Sequence, residues 1–223
     1  MRRLVVAIDG PAGSGKSTAA KALSKRLGYR LLDTGAIYRT VALLAQRAGV
    51  AWDDALGCAA IAQSVDLDFR FDGEVNHVFA FGEDLSGLIR TPDISQGASK
   101  VSSLPDVRAA LLELQRKVGK TGGVVAEGRD VGTVVFPDAE AKFFLVASPE
   151  VRAKRRTDEL RALGHIVNEG YTLAEVMERD RRDEERAAAP LKQAVDAIRI
   201  DSSQLGAVQV LDVMERLVRE RAT

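Results

Sequence analysis

Short apolar runs alternate along this chain with longer stretches of helical periodicity. The runs predicted to be strands are RLVVAID (3–9), YRLLDTG (29–35), GGVVAEG (122–128), KFFLVAS (142–148) and AIRID (197–201). Such short runs, bounded by turn residues, are typical of strands buried on both faces. The stretches predicted to be helices are 17–27, 36–49, one from about Pro149, one from about Thr172, and 204 to about 221. In the second of these, Ile37, Val41 and Leu44 share one face.

The segment from Val65 to Ser86 has a period of two instead. Its alternating apolar or aromatic positions are Leu67, Phe69, Phe71, Val75, His77, Phe79 and Phe81, with an FDGE turn between the two halves. This pattern predicts an antiparallel hairpin or small meander inserted between helical elements, with Asp72-Gly73 in the turn. Elsewhere the alternation of strand and helix predicts an α/β fold, a parallel sheet flanked by helices on both sides.

The sequence IDGPAGSGKS, Ile8 to Ser17, lies between the first predicted strand and the first predicted helix. It fits G-x-x-x-x-G-K-[ST], the signature of the phosphate-binding loop of P-loop NTPases. At a helix N-terminus, free backbone N–H groups and the helix dipole attract phosphate. We therefore expect ATP to bind here, with Lys16 on its β- and γ-phosphates and the Ser17 hydroxyl on Mg²⁺. The expected nucleotide-binding residues are Gly10, Pro11, Ala12, Gly13, Ser14, Gly15, Lys16, Ser17 and Thr18.

The charge of the chain is balanced, with 32 Lys plus Arg and 32 Asp plus Glu. A surface that binds nucleic acid would give a basic excess, so we expect no nucleic-acid partner. Basic residues do cluster between Arg152 and Arg186, but that stretch holds as many acidic residues. The mixture suits helices with ion pairs, or a site for a small charged ligand.

Cys58 is the only cysteine, which excludes an internal disulfide and is consistent with a reducing cytosol. No signal peptide precedes the first predicted strand, and no apolar run approaches the roughly 18 residues of a membrane span. We therefore expect a cytoplasmic monomer with no membrane partner.

Phosphate-binding loops occur in GTPases, in ATP-driven machines and in small-molecule kinases. The chain lacks the Asn-Lys-x-Asp segment expected of a GTPase, and it is shorter than most molecular motors. Arginines clustered downstream of the loop suit a kinase, because two negatively charged substrates must be neutralised and held in line.

Four segments, IDGPAGSGKST, LLDTGAIYR, EGRDVGTVVFPDA and ERDRRDEERAAAPL, closely resemble the bacterial-type cytidylate kinases, members of the nucleoside monophosphate kinase group. The resemblance covers nearly the whole chain in order. It implies a single kinase unit over 1–223: the phosphate loop and start of the core at 1–40, a monophosphate-binding region at 41–110 with the antiparallel insert at about 65–86, core at 111–150, a lid at 151–190, and the last core strand and helix at 191–223.

The segment LLDTGAIYR places Tyr38 and Arg39 near the start of a helix, where a hydroxyl and a guanidinium could meet an acceptor phosphate. The alternative is a packed tyrosine beside a surface arginine. By resemblance, Thr34 stands where the family often has serine, which keeps the hydroxyl.

The segment VVAEGRDVG places Glu127, Arg129 and Asp130 just past a buried strand, at the sheet edge where ligands bind. By resemblance, Arg129 contacts the acceptor phosphate, while Asp130 reads cytosine together with Ser99 and Arg108. A carboxylate can accept from the amine of cytosine. A plain ion pair between Arg129 and Asp130 is the alternative.

Arg179, Asp183 and Arg186 are spaced to share one helical face. By resemblance, Arg179 and Asp183 hold the ribose hydroxyls and Arg186 faces the phosphates; the alternative is a solvated helix with i, i+4 ion pairs. The helix carrying Arg152, Arg155 and Arg156 resembles the lid that closes over ATP.

The sequence therefore predicts transfer of the γ-phosphoryl group of ATP·Mg²⁺ to CMP or dCMP. We assign catalysis to Lys16, Arg129, Arg156, Arg179 and Arg186. A kinase for another small acceptor, such as UMP or shikimate, would not need Asp130 with Ser99 and Arg108. A non-catalytic switch would bind ATP without consuming it.

Overall fold

The computed structural model describes residues 2–71 and 76–223. Its strands are β1 (Val5–Asp9), β2 (Arg30–Asp33), β3 (Leu67–Phe71), β4 (Asn76–Ala80), β5 (Glu83–Asp84), β6 (Val124–Gly128), β7 (Ala141–Val146) and β8 (Ile198–Asp201). Its α-helices are α1 (Lys16–Leu27), α2 (Thr34–Arg47), α3 (Ala55–Ser64), α4 (Pro92–Val101), α5 (Pro105–Gly119), α6 (Pro149–Ala162), α7 (Glu169–Glu185) and α8 (Ala207–Ala222). A short 3₁₀ helix at Leu88–Arg90 and a π-helical turn at Val131–Val135 complete the regular elements.

The main sheet has five parallel strands in the order β2-β6-β1-β7-β8. Successive residues of the central strand β1 enter two hydrophobic cores. Val6 and Ile8 face the core formed with α1 and α8, while Ala7 faces the core formed with α2 to α5. Both faces of β1 are buried, which explains the apolar run from Val5 to Ile8. The predicted α/β fold is confirmed.

Helix starts are set by side chains that accept hydrogen bonds from free backbone N–H groups. Asp33 Oδ1 accepts from Ala36 N at 2.9 Å, so α2 begins at Thr34, two residues before the predicted start. Asn168 Oδ1 accepts from Gly170 N and Tyr171 N, so α7 begins at Glu169 and not at about Thr172. The last helix, α8, begins at Ala207, three residues later than the pattern indicates.

The predicted antiparallel insert is confirmed as a three-stranded sheet in the order β3-β4-β5. Leu67 pairs with Ala80 and Phe69 with Val78. Val78 and Ala80 point into the core that α2 to α5 form, so the insert is joined to that core. The predicted Asp72-Gly73 turn and Val75 lie outside the described residues.

The carboxyl ends of three neighbouring strands meet at one edge of the main sheet. In the pairing register, Asp9 of β1 lies beside Gly128 of β6, and Asp33 of β2 lies beside Glu127. The loop after β1, the start of α2 and the segment after β6 therefore converge. In open parallel sheets, ligands bind at this edge. Within the described ranges, the helices are all too short or too polar to cross a membrane.

Candidate active site

The loop after β1 forms a tight cradle at the start of α1. Gly10 has φ 151°, and a Cβ atom there would lie 2.0 Å from the Leu145 carbonyl oxygen, so a side chain does not fit. Lys16 is buried, and its Nζ donates to the Pro11 carbonyl at 3.0 Å. The buried Ser14 Oγ has no hydrogen-bond partner among the described residues. A cradle with spare donors at a helix N-terminus fits the phosphates of ATP.

The charged groups around this cradle shift one another's pKa values. Burial, and then the charge of Arg129, lowers the pKa of Lys16 to about 7. Burial, and then the charge of Asp33, raises the pKa of Glu127, and the nearby Ser17 hydroxyl opposes this shift. A hydroxyl beside a carboxylate offers the oxygen ligands that Mg²⁺ prefers. Ser17 and Glu127 could therefore hold that ion.

A second group of charges joins the end of β6 to α7. Arg129 Nε donates to Asp183 Oδ2 at 2.7 Å, and both side chains are largely buried. Although burial opposes it, the charges of Arg129 and Arg179 lower the pKa of Asp183. Arg179 itself forms no ion pair within 2–71 and 76–223, and its buried Nε lacks an acceptor. Burial and the repulsion of Arg129 lower its pKa to about 10. The positive charge of Arg179 is therefore not balanced within this group, and a bound anion would balance it.

A third group surrounds Asp130, which is 5% exposed. Arg108 Nη2 donates to Asp130 Oδ2, and Arg186 Nη2 donates to Asp130 Oδ1 at 3.2 Å. The Arg108 guanidinium also lies 5.5 Å from the centre of the Tyr38 ring. Tyr38 is buried beside this cluster, so its hydroxyl is not on the open surface. The two arginines fix the Asp130 carboxylate in a buried position.

Three further predicted residues lie near these groups. Ser99 Oγ accepts from Arg182 Nη1 at 2.9 Å, which joins α4 to α7. Thr34 Oγ1 donates to the Glu127 carbonyl at 2.8 Å, which joins the ends of β2 and β6. Arg39 Nη2 donates to Asp33 Oδ2 at 2.7 Å, while its Nε is buried without an acceptor in the described part of the chain.

Three of the four arginines of α6, the ones that the sequence analysis names, have different surroundings. The Arg152 guanidinium is buried and engaged by Ala147 O, Ala12 O and the Asp180 carboxylate. Arg155 contacts Gly13 O and Ser202. Arg156 pairs with Glu159 at 2.8 Å on a partly exposed surface and adds to the positive charge around Arg179. Arg152 and Arg155 are bound to the chain itself, which leaves Arg156 as the α6 arginine best placed to contact substrate.

The structure excludes one alternative and corrects one expectation about these residues. Arg129 and Asp130 do not pair with each other, because consecutive side chains leave the strand end in different directions and reach Asp183 and Arg108. Arg186 does not lie on the helical face of Arg179, because α7 ends at Glu185 and Arg186 has extended backbone. Its guanidinium nevertheless reaches Asp130.

One side of α7 is exposed to solvent and carries ion pairs, as the alternative interpretation of this helix expects. Arg181 pairs there with Glu178 at 2.9 Å and Glu185 at 2.7 Å, with all three side chains exposed. Asp183, on the other side, is buried. The spacing alone does not separate these two faces, since both carry charged residues.

The sequence analysis missed Asp9, which joins the cradle to the segment after β6. Its carboxylate accepts from Val131 N at 2.8 Å and Gly132 N at 2.7 Å, and it is buried. Burial raises its pKa to about 7, despite these two hydrogen bonds. An acidic residue inside an apolar strand was the available signal. Its partners are backbone groups more than a hundred positions away, which no motif records.

Comparison with known proteins agrees with this geometry. The family model described as cytidylate kinase matches residues 6–220. A protein from Geobacter sp. (strain M21) named cytidylate kinase is 56% identical over 98% of this chain and 94% of its own length. One of the same name from Pasteurella multocida (strain Pm70) is 47% identical over 94% of this chain and 92% of its own length.

The chain belongs to the cytidylate kinase family. Among solved structures, an uncharacterized protein from Eubacterium ventriosum ATCC 27560 has a TM-score of 0.53 at 14% identity, covering 97% of this chain and 99% of that one. That likeness concerns the fold alone. Membership of the cytidylate kinase family confirms the resemblance carried by the four motif segments, and it makes the chain a kinase.

Proposed function

We propose that this chain transfers the γ-phosphoryl group of ATP to CMP and dCMP, giving ADP and the cytidine diphosphate. Arg179 is the observation that carries this proposal. Its side chain is partly buried and forms no ion pair in the described chain, its Nε is buried without an acceptor, and it adds to the positive charge around Lys16 and Arg129. Isolated buried charge is costly, so the arrangement favours a bound polyanion that supplies the missing counter-charge.

On the donor side, we propose that the backbone from Gly10 to Thr18 holds the phosphates of ATP and that Lys16 stabilises the charge developing on the transferred group. Lys16 then exchanges its bond to the Pro11 carbonyl for a phosphate oxygen. Mg²⁺ would be held by Ser17 beside Glu127, where it neutralises phosphate charge. Arg156 is the proposed contact from the lid.

On the acceptor side, we propose that Arg39 and Arg129 bind the monophosphate, together with Thr34 and Tyr38. The buried Arg39 Nε without an acceptor supports this role for Arg39. Arg179 and Asp183 would hold the ribose, with Asp183 already oriented by its 2.7 Å bond to Arg129. Arg186 would add positive charge near the phosphates while it fixes Asp130. Positioning and neutralisation then supply the catalysis, without a strong general base.

Cytosine recognition is assigned to Asp130, Arg108 and Ser99. Asp130 is buried between two arginines, and its carboxylate presents acceptor oxygens. The 4-amine of cytosine donates to such an oxygen, whereas the 4-carbonyl of uracil would oppose it. A site built around one hydrogen bond strongly rejects the analogue that lacks the partner. UMP is therefore the informative competitor.

The charge balance of the chain and the single, buried cysteine support a cytoplasmic monomer that acts on free nucleotides and not on nucleic acid. We also propose that residues 1–223 act as one kinase unit, with the lid at 151–190 closing over ATP.

Steady-state phosphorylation of CMP, dCMP, UMP, AMP, GMP and shikimate tests the proposal. We expect CMP and dCMP to be the preferred acceptors. Asp130→Ala should lower kcat/KM for CMP about 10- to 100-fold and for UMP much less. Asp130→Asn keeps the shape of the side chain and adds an amide donor. It should therefore lower the ratio of kcat/KM for CMP to kcat/KM for UMP further.

Asp212→Ala is the control, because it removes a carboxylate paired with an arginine at an exposed position. Equal loss for CMP and UMP in both Asp130 variants would show that Asp130 does not read the base. Preference of the wild-type protein for shikimate or AMP, or ATP binding without turnover of any acceptor, would contradict the proposed function.

A further inference from the structure

Three consecutive carbonyl groups of the phosphate loop are held from outside the loop. Ala12 O accepts from Arg152 Nη1 at 3.1 Å, and Gly13 O accepts from Arg155 Nη1 at 3.3 Å. Ser14 O accepts from Ser202 Oγ at 2.9 Å. The donors come from α6 and from the end of β8, elements far from the loop in sequence. Each outward-facing carbonyl of this stretch thus has a side-chain partner.

Ser202 and Arg155 form one unit behind the loop. Ser202 is 3% exposed, and its Oγ accepts from Arg155 Nη1 at 3.1 Å while it donates to Ser14 O. Arg155 Nη2 donates to Ser202 O at 2.6 Å. Ser202 N in turn donates to Val146 O at 2.8 Å, which fixes this residue to the end of β7. The unit is anchored to the sheet and reaches the loop from it.

The direction of a carbonyl determines the direction of the amide in the same peptide. Because a trans peptide is planar, a carbonyl turned outward sends the N–H of the following residue the opposite way, toward the cradle. A loop rich in glycine can rotate its peptides at little steric cost. Rotation would turn a carbonyl toward the phosphates and would remove the acceptor of the buried Ser202 hydroxyl or of the partly exposed Arg155 Nη1, and an unpaired buried donor costs free energy.

We propose that Ser202 and Arg155 are positioning residues for ATP: they hold the Gly13 and Ser14 carbonyls outward and so keep the loop in its phosphate-binding conformation. Neither residue needs to touch the nucleotide. Their contribution is preorganisation, because the loop does not have to reorient when the phosphates bind. The role rests on the proposed use of ATP but not on which acceptor is phosphorylated.

Equilibrium binding, measured by calorimetry without turnover, separates this role from the choice of acceptor. The ligands are ATP, CMP and inorganic tripolyphosphate, which has the phosphates of ATP but no base or ribose. Ser202→Ala should weaken ATP and tripolyphosphate to the same extent, about 5-fold, as expected for one buried hydrogen bond. CMP binding should stay within about 2-fold, and Ser202→Thr, which keeps a hydroxyl, should restore most of the loss.

Arg155 gives a second arm, because its variants leave the Ser202 hydroxyl in the protein. Arg155→Met should weaken the same two ligands at least as much as Ser202→Ala, and the double variant should lose less than the product of the two effects, since the residues act as one unit. Two controls are matched in type: Ser24→Ala, a buried serine bonded within α1, and Lys154→Met, an exposed neighbour of Arg155 paired with Asp158. Both should bind ATP normally.

Other outcomes would overturn the proposal. Weaker binding of ATP with unchanged binding of tripolyphosphate would mean that the residues contact the nucleoside. An equal loss for CMP, or a lowered melting temperature with all three affinities retained, would mean that they stabilise the fold only.

Discussion

Lys16, which is buried at the cradle, and Arg179, whose Nε is buried nearby, are cations without a full set of anionic partners. Lys16 donates to a neutral carbonyl, and the Arg179 Nε has no acceptor in residues 2–71 and 76–223. Their lowered pKa values record the cost of this arrangement. The cost is offset when phosphate oxygens arrive, because negative charge nearby favours the protonated forms.

Binding of ATP should therefore draw protons onto the protein. In the free protein the pKa of Lys16 is about 7, so above that pH the amine is largely neutral. Bound phosphate raises the pKa of Lys16 toward its ordinary value. At a pH between the pKa values of the free and the bound protein, Lys16 therefore gains part of a proton for each ATP that binds. Calorimetry at pH 8 in two buffers of different ionisation enthalpy measures this uptake. At pH 6, where Lys16 is already protonated, the uptake by Lys16 should vanish.

Lys16→Met should remove the uptake at pH 8, with ligand raised to compensate for weaker binding. Proton release at pH 8, or the same uptake in this variant, would show that Lys16 is already charged in the free protein.

At this scale the sequence identifies residues whose chemistry is written in a contiguous motif. Lys16 and Ser17 are found this way, and family resemblance adds Asp130 and Asp183. Their partners are less accessible, because contacts such as Arg129 with Asp183 or Ser202 with Ser14 O depend on how distant segments fold together. Local spacing carries no record of them.

The packing of α4 against α2 depends on the absence of a side chain at Gly97. A Cβ atom on Gly97 of α4 would lie 2.5 Å from Trp52 Cε2, and Trp52 Nε1 donates to Ala42 O of α2 at 2.9 Å. The indole is therefore wedged between the helices and fixed at its polar end. The element α4 also carries Ser99, so its position affects the site.

Gly97→Ala should lower the free energy of unfolding by about 1–3 kcal/mol, because overpacking at Trp52 outweighs the gain of about 1 kcal/mol in helix propensity. Urea unfolding monitored by circular dichroism measures the change. Gly87→Ala is the matched control, since a Cβ atom there meets nothing within 4 Å. Equal stability of the two variants would show that Trp52 moves aside without cost.

Strands were easier to predict than helices in this chain. The sequence predicts all five strands of the main sheet, although β2 (RLLD) and β8 (IRID) hold charged residues. The helix α4, PDISQGASKV, has glycine and serine at interior positions and was not predicted, because packing against α2 overrides its weak propensity. VGTVV at 131–135 has the composition of a strand but forms a π-helical turn, which Asp9 caps through Val131 N and Gly132 N.

Over the whole molecule, Arg152 connects the phosphate loop to the far helix of the lid region. Its guanidinium bonds to Ala12 O and forms a two-pronged ion pair with Asp180, at 2.9 and 2.5 Å. Asp180 lies next to Arg179 and one turn before Asp183 in α7. The position of the proposed ribose contacts is thus tied to the position of the donor phosphates.

Breaking this buried pair should destabilise the protein and uncouple the two sites. Arg152→Met or Asp180→Asn alone should cost about 3–5 kcal/mol in unfolding free energy, because each leaves an unpaired buried partner, while the double variant should cost less than the sum. Urea unfolding of all four proteins gives the coupling energy, and kcat/KM for CMP should fall in parallel.

The exposed pair of Lys154 and Asp158, on the same α6, is the control and should couple by less than about 0.5 kcal/mol. A coupling between Arg152 and Asp180 as small as that would show that the two residues act separately.

The helices that pack on the two faces of β1 have different proposed roles, and this division affects how the protein can evolve. Helix α1, which continues directly from the phosphate loop, packs with α8 on one face, while α2, α4 and α5, which carry several of the proposed acceptor contacts, pack on the other. Substitutions on the acceptor face can accumulate while the opposite core, and with it the donor cradle, stays intact. Such a division allows related proteins to change the phosphate acceptor by substitutions on one side of the sheet, while ATP remains the phosphate donor.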